Sequence, residues 1–224
     1  MVLFGYLAAR CTLELVTGVL VLPQRQTALV AKQAAEADLL SRGRLRLSVG
    51  VGWNRPEYEA MGADFGRRGR LMDEQIEVLR RLWTEDVVSY DGEFHHIVGS
   101  GILTLPVQRP IPIWVGGVSP SALERVGRLG DGCMLNGSVE PGRSLDDVIE
   151  RIARAALAAG RDPGALGVEG RLVLGDRSDD ELRRLIAAWR DQGATHLCLD
   201  TRYGGRPTVV EHVQAIRRMA DVAA

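Results

Sequence analysis

Three turn segments carry residue types able to hold or work on a ligand. The richest is Ile113-Trp114-Val115-Gly116-Gly117-Val118-Ser119-Pro120-Ser121. An apolar strand run ends there in two glycines. Ser119 followed by Pro120 opens a helix, since proline in the first turn gives up an N–H that has no helical acceptor anyway. Ser121 with Glu124 offers a second capping register. Glycine lets a ligand approach the backbone, and the free N–H groups and dipole of a helix start favour an anion. The chemistry this predicts is a phosphate cradle built on the N–H groups of Gly117 to Ser121. The competing account is an ordinary βα turn, in which Gly and Ser are common.

The second segment is Val49-Gly50-Val51-Gly52-Trp53-Asn54. Glycines at alternate strand positions weaken a strand unless something must pass close by. A flat ring system lying on the strand end accounts for them, with Trp53 as a wall; tight helix–sheet packing around a partly buried Trp is the other account. The spacing is not the G-x-G-x-x-G that opens a helix in a dinucleotide site. The third segment is Thr17-Gly18-Val19-Leu20-Val21-Leu22-Pro23, where a glycine inside a β-rich run predicts a bulge or a strained strand end. Asp200, closing the last strand run, is either a site carboxylate or a cap for the loop toward Gly204 and Gly205. His95, His96, His196 and His212 form no metal-ligand spacing, and no HExxH, G-x-S-x-G or Walker-type loop occurs.

These turns need elements to position them. From Leu13 onward short β-rich runs alternate with amphipathic helices. Strands are expected at residues 13–22, 45–51, 111–115, 133–135, 167–174 and 196–199. Helices are expected at residues 27–40, 67–83, 119–129 and 145–159, after Ser178, and at residues 208–222, with one more at residues 2–10. Ser178 and Glu181 make a capping box, Ser144 is the expected cap of the helix after it, and Gly43, Gly160 and Gly193 stand behind helix ends. Residues 85–110 break the rhythm with a tight turn at Tyr90-Asp91-Gly92-Glu93-Phe94. Six β→α units in succession argue for a parallel sheet covered by helices. A doubly wound open sheet accepts six strands, and a closed barrel needs eight; the pattern itself does not choose. With no repeat, low-complexity tract or linker, residues 1–224 read as a single domain with an irregular insert at about 85–110.

Composition narrows the function classes. The chain has 224 residues, 46% hydrophobic and 25% charged, as in a packed globular domain. Its 28 basic and 29 acidic side chains nearly cancel, and no basic run marks a nucleic-acid surface. Cys11, Cys133 and Cys198 are scattered, which suits buried thiols in a reducing compartment better than a disulfide frame or a zinc site. The apolar start lacks a basic n-region and is interrupted by Arg10, Thr12 and Glu14, so neither a leader nor a membrane span is expected. The expected setting is the cytoplasm.

The three turns occur together with Ala31-Lys32-Gln33-Ala34, Ser41-Arg42-Gly43-Arg44, Arg67-Arg68-Gly69-Arg70, Glu77-Val78-Leu79-Arg80 and Gly130-Asp131-Gly132. In that order, over most of residues 5–136, the set resembles the bacterial-luciferase-like oxidoreductases, the luciferase-like monooxygenase superfamily. The resemblance implies a TIM-type (β/α)8 barrel that binds FMN or its deazaflavin counterpart, coenzyme F420, at the strand C-termini. It implies hydride transfer to or from a small organic substrate, with oxygen activation in FMN members. Gly18 and Val19 match the strand-end peptide behind the cofactor ring, often a non-proline cis bond. Val51 and Gly52, with Trp53, match a cofactor-contacting turn, and Gly116, Gly117, Ser119 and Pro120 match the loop that holds the cofactor phosphate. Trp53-Asn54 and the following residues 57–61 resemble deazaflavin users, which favours F420 over FMN. Sugar-phosphate-oxidising relatives carry Glu where this chain has Trp53, which speaks against that substrate.

A full member of the superfamily places strand, helix and strand before Val2. The resemblance therefore implies a barrel truncated at its N-terminus, with the His or Asp of the second strand missing. Such a chain is expected to bind cofactor weakly or not at all and to form a homo-oligomer through the uncovered edge beside residues 13–22. Three readings of function stand. The first is an F420- or FMN-dependent oxidoreductase, with monooxygenation included. The second is a catalytically inactive truncated barrel acting as a binding or assembly remnant. The third is an unrelated phosphate-ligand enzyme on a six-stranded open sheet.

Overall fold

The β-rich runs become parallel strands whose pairing follows their apolar faces. The structure, a computed structural model, describes residues 1–202, 205 and 208–223. The chain divides into two compact units, Met1–Gly116 and Gly117–Ala224.

The first unit runs through α1 (Val2–Ala8), β1 (Leu15–Val16), β2 (Leu20–Val21), α2 (Thr27–Ser41), β3 (Leu45–Gly50), α3 (Arg55–Ala60) and α4 (Arg68–Thr84). An antiparallel hairpin follows, β4 (Val88–Asp91) and β5 (His96–Ser100), and then β6 (Ile113–Gly116). β3 is the shared partner: β1, β2 and β6 all pair with it in parallel. Every residue of β3 is buried, as expected of a parallel strand covered on both faces. Leu45, Leu47 and Val49 point to one face, and Arg46, Ser48 and Gly50 to the other.

The run at residues 13–22 is two strands rather than one. Val16 pairs with Arg46 and Leu20 with Val49, so four steps on one strand meet three on its partner. The extra residue is a bulge, the feature predicted from Gly18. Thr17 bridges it: Ser48 N–H donates to Thr17 Oγ1 at 2.8 Å, and the same hydroxyl donates to Ser48 O at 2.6 Å. A side chain thus stands in for backbone where the ladder is broken.

α4 packs on α2 and buries Met72, Ile76, Leu79 and Trp83, and Trp83 Nε1 donates to Ala31 O at 3.0 Å. α2 ends on Arg42 and Gly43, both at positive φ, 59° and 78°. The short α3 was not among the expected helices; six residues are too few to display a helical period.

The second unit contains α5 (Pro120–Leu129), β7 (Gly132–Met134), α6 (Arg143–Ala158), β8 (Gly167–Val173), α7 (Asp179–Asp191), β9 (His196–Asp200) and α8 (Val209–Ala223). β8 pairs in parallel with β7 and β9. Leu172, Leu174, Leu182, Met219 and Val222 form the core between this sheet and α7 and α8. Ser178 caps α7 with the reciprocal Glu181 box predicted for it. The expected Ser144 cap of α6 is corrected. Gly142 turns the chain at φ 111° and is the N-cap, so Ser144 lies inside the helix, where its hydroxyl donates to Glu140 O at 2.9 Å. All six strand positions read from the sequence are present, three in each unit, the first of them split.

Gly127 sets the closeness of α5 to α6. A Cβ built on it would lie 2.6 Å from Ile152 O and 2.7 Å from Ala155 Cβ. Gly127→Ala is therefore expected to destabilise by about 1–3 kcal/mol through overpacking, despite alanine's better helix propensity. Thermal unfolding should show a melting point lowered by roughly 5 °C. An unchanged or raised melting point would show that the two helices part freely there.

Candidate cofactor site

In the first unit the ends of three strands converge on one side chain. Val19 follows Gly18 directly, and the peptide between them is cis. A Cβ on Gly50 would sit 3.0 Å from Val19 Cγ2, and one on Gly116 would sit 2.7 Å from Val19 Cγ1. Gly50 closes β3 and Gly116 closes β6. Both are glycine because Val19 occupies the space their side chains would take. Gly52 has φ 66°, and a Cβ there would lie 2.8 Å from Val21 Cγ1. Gly18, by contrast, has nothing within 4 Å of a built Cβ.

The alternate glycines are thus explained differently from the ring-on-strand account. What passes close to Gly50 and Gly52 is Val19 and Val21 of the neighbouring strand. Val19 remains 38% exposed and Gly18 is open, so the floor has a buried underside and a free upper side. The Val51 carbonyl accepts the hydroxyl of the fully buried Tyr58, which ties α3 beneath this turn. Burial raises the Tyr58 phenol above its ordinary value, with Arg68 opposing, so the phenol remains a donor. Trp53 is 86% exposed, which rules out tight helix–sheet packing as the reason for its presence.

On the same face of β3 as Gly50, the Arg46 guanidinium stacks over Trp114 at 4.1 Å and meets Glu14 at 3.1 Å. Ser48 Oγ, between them, is buried without a partner among the described residues.

In the second unit Ser119 is the N-cap of α5 and Pro120 its first residue. Ser119 Oγ accepts the Ala122 N–H at 3.3 Å, which selects the Ser119 register over the Ser121 one. Gly117 has φ 127°, a conformation that favours glycine. One expectation is corrected here. The Gly117 N–H donates to Met134 O at 3.3 Å and is not free for an anion. Among the described residues the N–H groups left without an acceptor in this loop are those of Val118, Ser119 and Ser121.

Asp200 is 6% exposed and engaged: Arg202 reaches it through its backbone N–H at 3.0 Å and Nη2 at 2.6 Å, and Arg171 Nη1 at 3.4 Å. The Arg202 hydrogen bond, resisted by burial, brings its carboxyl down to about 2. It is an ion-paired loop anchor, the second of its two predicted roles. Gly204, toward which the loop was expected to run, lies outside the described residues.

None of these residues lines the cavity of about 460 Å³ in the first unit, whose walls include Arg25, Thr27, Leu71, Gln75, Phe94 and His95. His95, unremarkable in the sequence, bridges Glu74 and Thr27 there. No spacing rule joins residues 27, 74 and 95. Among the described residues no cluster of His, Cys, Asp and Glu could hold a metal, and no helix is long and apolar enough to cross a membrane.

This parallel βα architecture is shared with solved enzymes. It matches monooxygenase RslO1 from Streptomyces bottropensis with a TM-score of 0.82 at 24% identity, over 99% of this chain and 80% of that one. It matches an F420-dependent secondary alcohol dehydrogenase, solved with an F420-acetone adduct, with a TM-score of 0.75 at 18% identity, over 93% and 79%. These likenesses show the fold, that of the luciferase-like TIM-type barrels. Residues 1–219 match the luciferase-like monooxygenase family, and the chain belongs to it.

Among curated relatives, an FMNH2-dependent dimethylsulfone monooxygenase of Pseudomonas fluorescens is 31% identical over 191 residues, 83% of this chain and 50% of that protein. An uncharacterized protein of Mycobacterium tuberculosis is 43% identical over 143 residues, 64% of this chain and 48% of that protein. The chain spans about half the length of the curated relatives it matches.

Val19 is β-branched and cannot swing away from a new Cβ. Gly116→Ala should therefore cost about 1–3 kcal/mol in denaturant unfolding, and less than half of that in a Val19→Ala background. Equal costs in both backgrounds would mean that Val19 is not what Gly116 accommodates.

Asp200 gives a pH dependence of known sign. Its folded pKa is depressed, so its stabilisation is present above 3.8 and is lost as pH falls toward about 2. Asp200→Asn should lower stability at neutral pH and flatten the loss across that acid window, as read from urea midpoints. A variant whose midpoints fall in parallel with the parent protein would refute the assignment.

Proposed function

We propose that the chain is the cofactor-holding part of an oxidoreductase that passes a hydride between coenzyme F420 and a small organic substrate. The observation that carries this reading is the strand-end floor: Val19, backed by Gly50 and Gly116, beside the open Gly18. An apolar, rigid surface of that kind suits one face of a flat ring, and the missing Cβ at Gly18 leaves room above it. The free N–H groups of Val118, Ser119 and Ser121, at the positive end of α5, suit a phosphate. Bound F420 would supply hydride chemistry, and Val19 with its backing glycines would support the ring.

The Trp53-Asn54 turn and the likeness to an F420-dependent alcohol dehydrogenase fold support the deazaflavin. FMN is the second reading, favoured by the relative named as an FMNH2-dependent monooxygenase. The substrate is a small molecule in either case, and the same reading includes a homo-oligomer.

Titrating the chain separately with F420 and FMN, followed by cofactor fluorescence, distinguishes the readings. F420 should bind at least about tenfold more tightly, a difference of about 1.4 kcal/mol. Tighter FMN binding transfers the function to a flavin enzyme. No binding of either at millimolar concentration, by this chain and by an N-terminally extended version alike, overturns the oxidoreductase reading and leaves the binding or assembly role.

A further inference from the structure

Thr27, His95 and Glu74 are brought together by three different elements: the start of α2, the tip of the hairpin and the first half of α4. Thr27 Oγ1 lies 2.6 Å from His95 Nε2, and His95 Nδ1 lies 2.7 Å from Glu74 Oε1. The proton positions follow from the partners. Glu74 accepts the backbone N–H groups of Glu93, Phe94 and His95 at 2.8, 2.9 and 2.7 Å, so it is an ionised acceptor. Nδ1 then carries a proton, and in the tautomer that leaves Nε2 unprotonated Nε2 accepts from the Thr27 hydroxyl. Gln75 Nε2, 3.1 Å from Thr27 Oγ1, donates to that oxygen from another side and holds it in place.

Holding the hairpin tip to α4 needs only the three backbone bonds to Glu74. The imidazole adds something different: a polarised hydroxyl on the wall of a cavity of about 460 Å³. Leu71, Val78, Phe94 and Ile97 make much of that wall apolar. Thr27 is also the first residue of α2, whose N-cap Gln26 makes no side-chain capping bond. Among the described residues the N–H groups of Ala28 and Leu29 have no acceptor. The N–H of the residue after a nucleophile is one of the donors that hydrolases aim at an oxyanion.

We propose that this constellation is a second, hydrolytic site, in which Thr27 attacks small carboxylic esters, His95 is the general base and Glu74 positions His95. Thr27 Oγ1 forms a bond to the carbonyl carbon while its proton passes to His95 Nε2. The carbonyl oxygen, now an anion, faces the Ala28 and Leu29 N–H groups. Collapse breaks the ester C–O bond, and the alcohol leaves with the proton from Nε2. Water then attacks the acyl-threonine, giving its proton to Nε2. The acid departs as that proton returns to Thr27 Oγ1. The products are one carboxylic acid and one alcohol, with no other reactant than water. The site is independent of the cofactor reading.

The test uses the whole chain and p-nitrophenyl acetate. Acid quenching followed by peptide mass mapping should find one acetyl group on Thr27 of the unaltered protein. Thr27→Val should abolish the adduct and lower p-nitrophenolate release by about 100-fold, and Thr27→Ser should keep both. Glu74→Gln should lower p-nitrophenolate release and the Thr27 adduct together, and Glu74→Asp, which keeps the carboxylate, should restore part of both. Loss of hairpin structure alone would not be rescued by the aspartate. Absence of acetyl on Thr27 in the unaltered protein, or Thr27→Val turning over at the parent rate, overturns the proposal.

Discussion

β3 is buried on both faces, and most of the first unit follows from that constraint. A strand with no solvent side incurs a cost for each free polar group or unfilled gap, and Ser48 Oγ is one such atom left unpartnered among the described residues. Its inward residues each answer this differently. Arg46 is stacked on Trp114 and paired with Glu14, and Gly50 has no side chain because Val19 is already there. The backbone of Ser48 faces a broken neighbouring strand, and Thr17 supplies the missing partner. The bulge, the floor and the glycines are thus one arrangement seen from three residues.

The same constraint separates the two faces of the floor. Beneath Val19 the glycines leave no room, and above it the chain is open at Gly18. A surface rigid from below and accessible from above is what a planar ligand requires, since little conformational freedom is lost when it docks. The loop at the start of α5 is built on the opposite principle. There the useful groups are backbone donors that the helix cannot satisfy itself, and the Ser119 hydroxyl, which shares the Ala122 N–H with Ser119 O, defines the turn without consuming them.

Strand and helix positions were legible because alternation, capping residues and terminal glycines each act locally. Ser178 with Glu181 and Ser119 with Pro120 are cases in which one short motif was enough. The reason for the glycines was not legible. Gly50 and Gly52 advertise a close approach but do not say by what, and Val19 and Val21 reach them only through the register of another strand. That register is itself hidden: the extra residue at the bulge places Leu15 and Leu20 against Leu45 and Val49, so the alternation changes phase midway along the run. The engagement of the Gly117 N–H by Met134 was out of reach for the same reason. The Thr27–His95–Glu74 group was the least readable. Its members belong to segments that no motif relates, and His95 lies in an irregular insert without periodicity.

The bonds at Glu74 also bear on how the protein opens. A hairpin tip on the surface is ordinarily among the first segments to fray, exchanging its amide protons through small local fluctuations. Here the amides of residues 93–95 are held by a carboxylate on α4, and α4 is held in turn by Trp83 to α2. Releasing those three protons means either breaking several charge-assisted bonds together or loosening α4 from the core. The tip therefore belongs to the cooperative unit of the helix layer, and its amide exchange reports on the opening of that layer rather than on the hairpin's own.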